Sequence, residues 1–326
     1  ERALPLFTHV LEKRTDLNGR NDPLTLLAMS NLSGCYRELC QFEKALPLDR
    51  DVLERTKERF GPTSPAAAEA MHSLATLYWS MQDLDKSIPL FEEALSIQRQ
   101  HHGEPHPTTL QTLANLASNH HSAEHHAKAA QCADEFLDIY WKMKPQDRHH
   151  LAWFLRTAGS IYDDAGAPKR AEEVLRRAVA ECRNLDGKAS STTTSALASL
   201  GLHLLKQKRW DDAEPILREC LTIREEKQPD SWLTFNTKSM LGGAFLGQKK
   251  FDEAVPLLLD GYEGMKKREG KGLPGSADPN SQRTRIVESL ERLVMLYDAW
   301  DKKEEADKWR KELQAYKDSA PPKRSN

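Results

Sequence analysis

The chain repeats itself about every 42 residues, and no other feature constrains its fold as much. "ERALPL" opens it, "EKALPL" stands at 43–48, "DKSIPL" at 85–90, "DDAEPI" at 211–216 and "DEAVPL" at 252–257. The small residue in each serves as a marker. The series is Ala3, Ala45, Ser87, Ala129, Ala171, Ala213, Ala254 and Ala306, spaced by 42, 42, 42, 42, 42, 41 and 52. Twelve residues before each marker from Ala45 onward stand Ser33, Ala75, Ala117, Gly159, Gly201, Gly242 and Val294, six of them small. Nine before stand Tyr36, Tyr78, His120, Tyr162, Leu204, Phe245 and Tyr297. A small residue lets a second helix approach closely, and a ring fills the space beside that contact. Each unit therefore reads as a helical hairpin.

The pattern inside a unit agrees. In "AAAEAMHSLATLYWSM" the apolar residues Ala67, Ala70, Met71, Leu74, Leu77, Tyr78 and Met81 recur at three and four, and in "DKSIPLFEEALSIQRQ" Ile88, Phe91, Ala94, Leu95 and Ile97 line a second helix. Pro47, Pro89, Pro215 and Pro256 each fall two residues after a marker, which reads as the start of the second helix, where a missing backbone donor matters least. Polar turns such as "GPTSP" and "GEPHP" separate the units, and no segment alternates as a strand would. The expectation is an all-α solenoid, an α–α superhelix of about seven hairpins. Residues 1–22 read as the second helix of a truncated preceding repeat, 23–269 as six hairpins, 270–280 as a Gly/Pro loop, 281–317 as a charged capping hairpin and 318–326 as a disordered tail. The first helix is expected to expose an apolar face where a preceding hairpin would pack. The chain opens on Glu1 and Arg2 and reads as a segment of a longer protein.

Composition excludes some functions. Net charge is −2 with 29% charged residues, so nothing favours a nucleic-acid or anionic-membrane partner. No apolar run approaches the ~20 residues that cross a bilayer. The five cysteines (Cys35, Cys40, Cys132, Cys182 and Cys220) are scattered without a CxxC pair, which suits a reducing, cytoplasmic setting.

At "HGEPHPTTLQTLANLAS" the chain resembles tetratricopeptide (TPR) repeats of the 42-residue kinesin-light-chain type, with their "G-x-x-H-P-x-T" and "L-x-N-L-A" opening and "E-A-x-P-L" second helix. The resemblance covers nearly the whole chain; the repeat at 107–148, with "AKAAQC" in place of the proline motif, departs most. Residues 211–269 also resemble the C-terminal repeat region of large bacterial serine/threonine protein kinases. The chain itself carries no H-R-D, D-F-G or Gly-rich loop, so a kinase domain would lie upstream of Glu1. The resemblance implies a non-catalytic arm without a cofactor, binding protein or peptide segments along the first helices.

The register resolves the histidine-rich stretch, in which nine of twelve histidines fall between His101 and His150. His120 takes the position that is Tyr in repeats one, two and four. His126 stands where other repeats have Phe42, Leu84, Trp210 and Phe251, so both read as ring fillers, and His106 as a turn residue before Pro107. His121, His125 and Glu124 remain as a metal alternative, weighed against partly exposed neighbours. "GGAFLGQK" (242–249) falls short of a P-loop, because it has Gln248 where lysine belongs and ends a helix. Asp163–Asp164 and Asp211–Asp212 read as caps at hairpin turns and helix starts rather than a catalytic pair. Cys220 reads as a buried structural thiol. The candidate binding residues are Asn31 and Arg37, His72 and Trp79, Asn115 and His121, Trp153, Arg156 and Asp163, and Asn236. Asn31 and Asn115 match the family's "N-L-A" asparagine, which the resemblance implies contacts a peptide backbone; an amide both donates and accepts. The Trp and Arg side chains would be anchors. No metal ligand is assigned.

Overall fold

The computed structural model describes residues 4–103, 105–143, 149–270 and 279–319, with only the backbone described at 149–150 and 279–281. The described residues form fifteen helices and no strand. The chain packs as two compact units, Glu1–Gln146 and Asp147–Asn326.

The first unit holds α1 (Leu4–Asn18) and three hairpins: α2 (Pro23–Glu38) with α3 (Phe42–Phe60), α4 (Pro65–Ser80) with α5 (Leu84–His102), and α6 (Pro107–Ser122) with α7 (His126–Met143). The second holds α8 (His149–Asp164) with α9 (Pro168–Asp186), α10 (Ser191–Lys206) with α11 (Trp210–Lys227), α12 (Trp232–Gly247) with α13 (Phe251–Lys267), and α14 (Pro279–Ala299) with α15 (Lys303–Asp318). Within each unit, neighbouring first helices also touch: α2 with α4, α4 with α6, α8 with α10, α10 with α12 and α12 with α14.

The period is realised as close packing. Ala45, Ser87, Ala129, Ala171, Ala213, Ala254 and Ala306 are all 0% exposed; Ala3 lies outside the described residues. The partner of the small residue twelve positions earlier is a side chain four positions after the marker. A Cβ on Gly159, Gly201 or Gly242 would stand 2.5, 2.4 or 2.7 Å from the nearest atom of Leu175, Leu217 or Leu258. Glycine at those sites is therefore a packing requirement, and Gly242 is fixed by Leu258 rather than by any nucleotide. First helices start with capping side chains: Asp22 accepts from the Leu24 amide (3.0 Å), Ser64 from Ala67 (3.1 Å), Ser190 from Thr193 (3.0 Å) and Ser231 from Leu233 (3.3 Å). His106 does the same through Nδ1, 3.3 Å from the Thr108 amide.

Two features differ from the sequence reading. The four prolines lie a full turn inside α3, α5, α11 and α13, not at their starts. Each removes the bond to the carbonyl four residues back, at Glu43, Asp85, Asp211 or Asp252. Those residues and the prolines are exposed, so water satisfies the orphaned carbonyl. Asp163 and Asp164 are not caps but end α8, and Asp164 faces Lys206 at 3.5 Å; Asp211 and Asp212 do lie in the first turn of α11.

At the boundaries, α14 begins at Pro279 and α15 ends at Asp318, so two residues of the stretch read as a loop and one of the stretch read as a tail are helical. Residues 271–278 and 320–326 lie outside the described residues. Leu6, Val10 and Leu17 are exposed on α1.

Candidate functional site

The ten candidate residues fall on four register positions of the first helices. In the first repeat these are 27, 30, 31 and 37, which share one helical stripe. The 37 position carries Arg37, Trp79, His121 and Asp163; the 31 position carries Asn31 and Asn115; the 30 position carries His72 and Arg156; the 27 position carries Trp153 and Asn236.

In the first unit the structure separates these residues by environment. Asn31 is exposed and Arg37 half-buried, and both line a cavity of about 550 Å³ between α2, α3 and α4. The buried face of that cavity holds Asp49, which is 5% exposed. The Ser33 hydroxyl beside it donates to the Ala45 carbonyl at 3.3 Å, and burial raises the Asp49 pKa while Ser33 and Arg37 oppose that rise. Arg37 itself bonds to Glu38 at 3.3 Å.

His72 is not a free groove residue. Its Nε2 accepts from Asn115 Nδ2 at 3.1 Å, which makes Nδ1 the protonated nitrogen, 3.0 Å from Thr112 Oγ1. Phe91 stands edge-on to the ring at 5.1 Å. Burial, with a smaller contribution from Arg37, lowers its pKa to about 4, so the imidazole is neutral. His72 and Asn115 thus tie α4 to α6, and Asn115 keeps its side-chain oxygen for another partner. Trp79 and His121 are half-buried.

The histidine-rich turn is built from packing contacts. His120 is 2% exposed, its Nδ1 lies 3.4 Å from His125 Nδ1, and burial lowers its pKa to about 4. His126 opens α7 with its ring 6.4 Å from that of His121. Glu124 is exposed, with a φ of 58°. Among the described residues no three His, Cys, Asp or Glu side chains converge as a set that could hold a metal ion.

In the second unit Trp153 is 41% exposed. Arg156 is half-buried, and burial lowers its pKa. Asp163 is not presented to a ligand: its Oδ1 lies 2.7 Å from Nδ1 of His203, and the two side chains are 7% and 1% exposed. Asn236 is 9% exposed, and its side-chain oxygen has no hydrogen-bond partner among the described residues. Trp153 and Asn236 share a register position, yet only the first meets solvent.

Two further charged groups were not singled out from the sequence. Arg224, 3% exposed, donates to the Leu233 carbonyl (2.9 Å) and Thr237 Oγ1 (2.6 Å). Arg292 donates to Ser239 Oγ at 3.1 Å. Arg224 bridges α11 to α12 and Arg292 bridges α14 to α12, and neither has a signal in the repeat pattern. Cys220 is fully buried and its thiol donates to the Thr194 carbonyl at 3.2 Å; burial raises its pKa, which is the state of a structural thiol. No helix among the described residues is long and apolar enough to cross a membrane.

Comparison with known proteins gives the same architecture. The tetratricopeptide repeat model matches residues 35–100, 66–140 and 192–267, together more than half of the chain. None of the curated proteins matches the sequence. Among solved structures, the nearly identical TPR-like repeats of a Podosopora anserina protein assigned as a kinesin light chain are 18% identical. That match covers 63% of this chain and 96% of the other, with a TM-score of 0.58. The apo form of RapI is 14% identical over 90% of this chain and 99% of its own, with a TM-score of 0.69. A Rap protein complexed with Competence and Sporulation Factor is 15% identical over 97% and 85%, with a TM-score of 0.59. The 42-residue period, the helical hairpins it folds into and the extent of the family match lead to one conclusion: this chain belongs to the tetratricopeptide repeat family.

Proposed function

We propose that this chain is a non-catalytic protein-interaction scaffold that holds extended peptide or partner segments on its first-helix stripe. The observation that carries the reading is the contrast along that stripe. Asn31 and Trp153 are exposed there, Asn115 keeps an unpaired oxygen, and a cavity of about 550 Å³ opens beside Asn31, while the marker positions behind are sealed. Exposed amides pair with an extended backbone, and an exposed indole anchors an apolar side chain. On the related fold, a Rap protein is seen complexed with Competence and Sporulation Factor.

The finer reading is that the array is the C-terminal arm of a bacterial serine/threonine kinase, working in the cytoplasm to recruit substrates or regulators. The resemblance of residues 211–269 supports it. The alternative is an interaction or sensor arm of another signalling or adaptor protein, and the coding sequence upstream of Glu1 separates the two.

The scaffold reading is tested with a random 12-residue peptide display library selected on the full chain. Enriched peptides should bind, and Asn31→Ala, Asn115→Ala or Trp153→Ala should weaken the peptides that engage the same unit about tenfold or more, the size expected of an interface anchor. Peptides that bind all three variants as well as the parent would place the binding surface elsewhere.

A further inference from the structure

The cavity in the first unit exists because one repeat breaks the packing rule. Four residues after the marker, the next five hairpins carry Phe91, Ala133, Leu175, Leu217 and Leu258, all 2% exposed or less, and the capping hairpin carries the exposed Arg310. The first hairpin carries Asp49 there, opposite Ser33 instead of glycine or alanine. A polar Ser33–Asp49 pair replaces the apolar plug, and the space the plug would fill opens between α2, α3 and α4.

We propose that this cavity is a subsite for one cationic nitrogen group, the ammonium of a lysine or the guanidinium of an arginine side chain, on the segment held by the first-helix stripe. The proposal deepens the scaffold reading and rests on it for the segment that delivers the group.

Charge and shape select that ligand. Among the described residues no cation lies within ion-pair distance of Asp49. Arg37, on the same wall, is engaged with Glu38 at 3.3 Å. Glu69 adds a second carboxylate to the lining. A carboxylate held at 5% exposure, beside a Ser33 hydroxyl that donates to the Ala45 carbonyl, is incompletely satisfied, and a cation that reaches it restores what burial removed. Leu27, Val52 and Phe60 line the same space and suit the methylene stem of a long basic side chain. The volume falls in the range of small-ligand sites, about 300–1,000 Å³, and far exceeds one ammonium, so the stem enters with the head. With no third ligand converging, an organic cation fits better than a metal ion.

The test uses the full chain as parent, Asp49→Asn, which keeps the volume and removes the charge, and Asp49→Leu, which restores the plug of three other repeats. Peptides selected on the parent should share a lysine or arginine at one fixed position. Replacing it with norleucine should weaken binding at least tenfold on the parent and less than twofold on Asp49→Asn. In parallel, N-acetyl-lysine amide and N-acetyl-arginine amide at tens of millimolar should raise the thermal unfolding midpoint of the parent. N-acetyl-norleucine amide should not, and neither Asp49 variant should respond. Asp49→Leu should unfold later than the parent without any ligand; if it fails to fold, Asp49→Asn carries the test. Selected peptides that need no basic residue, or that bind Asp49→Asn as they bind the parent, overturn the subsite and leave the scaffold standing. If no peptide is enriched, the scaffold reading falls, and the amides alone decide the cavity: an Asp49-dependent shift keeps it, no shift removes it.

Discussion

Gly201 and Gly34 are both helical glycines of first helices, and the structure assigns opposite signs to their replacement by alanine. A Cβ on Gly201 would stand 2.4 Å from Leu217 Cδ2 and 2.7 Å from its Cγ, and Leu217 is 0% exposed, so it has nowhere to swing. Overpacking of this kind costs about 1–3 kcal/mol, against about 1 kcal/mol gained from helix propensity. Gly201→Ala should therefore destabilise the chain by about 1 kcal/mol. A Cβ on Gly34 meets nothing within 4 Å, so Gly34→Ala keeps only the propensity gain and should stabilise by about 1 kcal/mol. Leu217→Ala alone should remove about 2–5 kcal/mol. Combined with Gly201→Ala, it recreates the Ala117–Ala133 pair of the third hairpin, both 0% exposed. The double variant should then lose about 2 kcal/mol less than the sum of the singles, because the overpacking disappears with Leu217 and only the propensity gain is left. Urea unfolding of the full chain gives the free energies, provided the slope stays constant. Hydrogen exchange of the α10 and α11 amides localises the loss, which matters in an array that can open piecewise. If Gly201→Ala stabilised as Gly34→Ala does, or the pair added without coupling, the glycine–leucine contact would not be what fixes the period.

Other consequences are as direct. His72 and His120 are held to pKa values of about 4 by burial, against about 6.5 in an unfolded chain. Between those values the unfolded chain binds the extra proton, so stability is full above pH 7 and falls as pH drops through 6 toward 4. His72→Gln should flatten the loss between pH 7 and 5 by about 2 kcal/mol in urea unfolding; an unchanged slope refutes the neutral imidazole. Asp163→Ala strands the buried His203 ring and should lower stability by about 1–3 kcal/mol, whereas a loss under about 0.5 kcal/mol would show the pair to be idle. Gln82 and Lys208 sit at φ 63° and 57° in hairpin turns, so Gln82→Gly and Lys208→Gly should each stabilise by about 1 kcal/mol, and a lower melting point in either would contradict that strain.

Much of this fold is legible because each hairpin is closed by contacts at fixed sequence separations. The markers from Ala45 onward, the glycines and alanines twelve positions earlier, and rings such as Tyr78 and Tyr162 are read from the period alone and are all buried. The hairpin turns are less legible. Cys40, Gln82, Glu124, Lys208, Lys249 and Asp301 all take positive φ without being glycine. What holds them is a bond closing each turn, such as Asp83 N to Tyr78 O (2.9 Å) and Lys250 N to Phe245 O (2.9 Å), with helices packed on both sides. Asp49 was visible as the one acidic residue in a row of Phe, Ala and Leu that ends on Arg310, but only the cavity gives that departure a meaning.

The period by itself determined the helical hairpins, their number and the residues sealed inside each one, because those contacts repeat with the chain. Tertiary structure decided which stripe residues are free. His72 meets Asn115, Asp163 meets His203, and Asn236 is buried where Trp153, at the same register position, is exposed. These outcomes depend on non-repeating side chains that face each other across neighbouring hairpins, some forty residues apart, and a period fixes only what every repeat has in common.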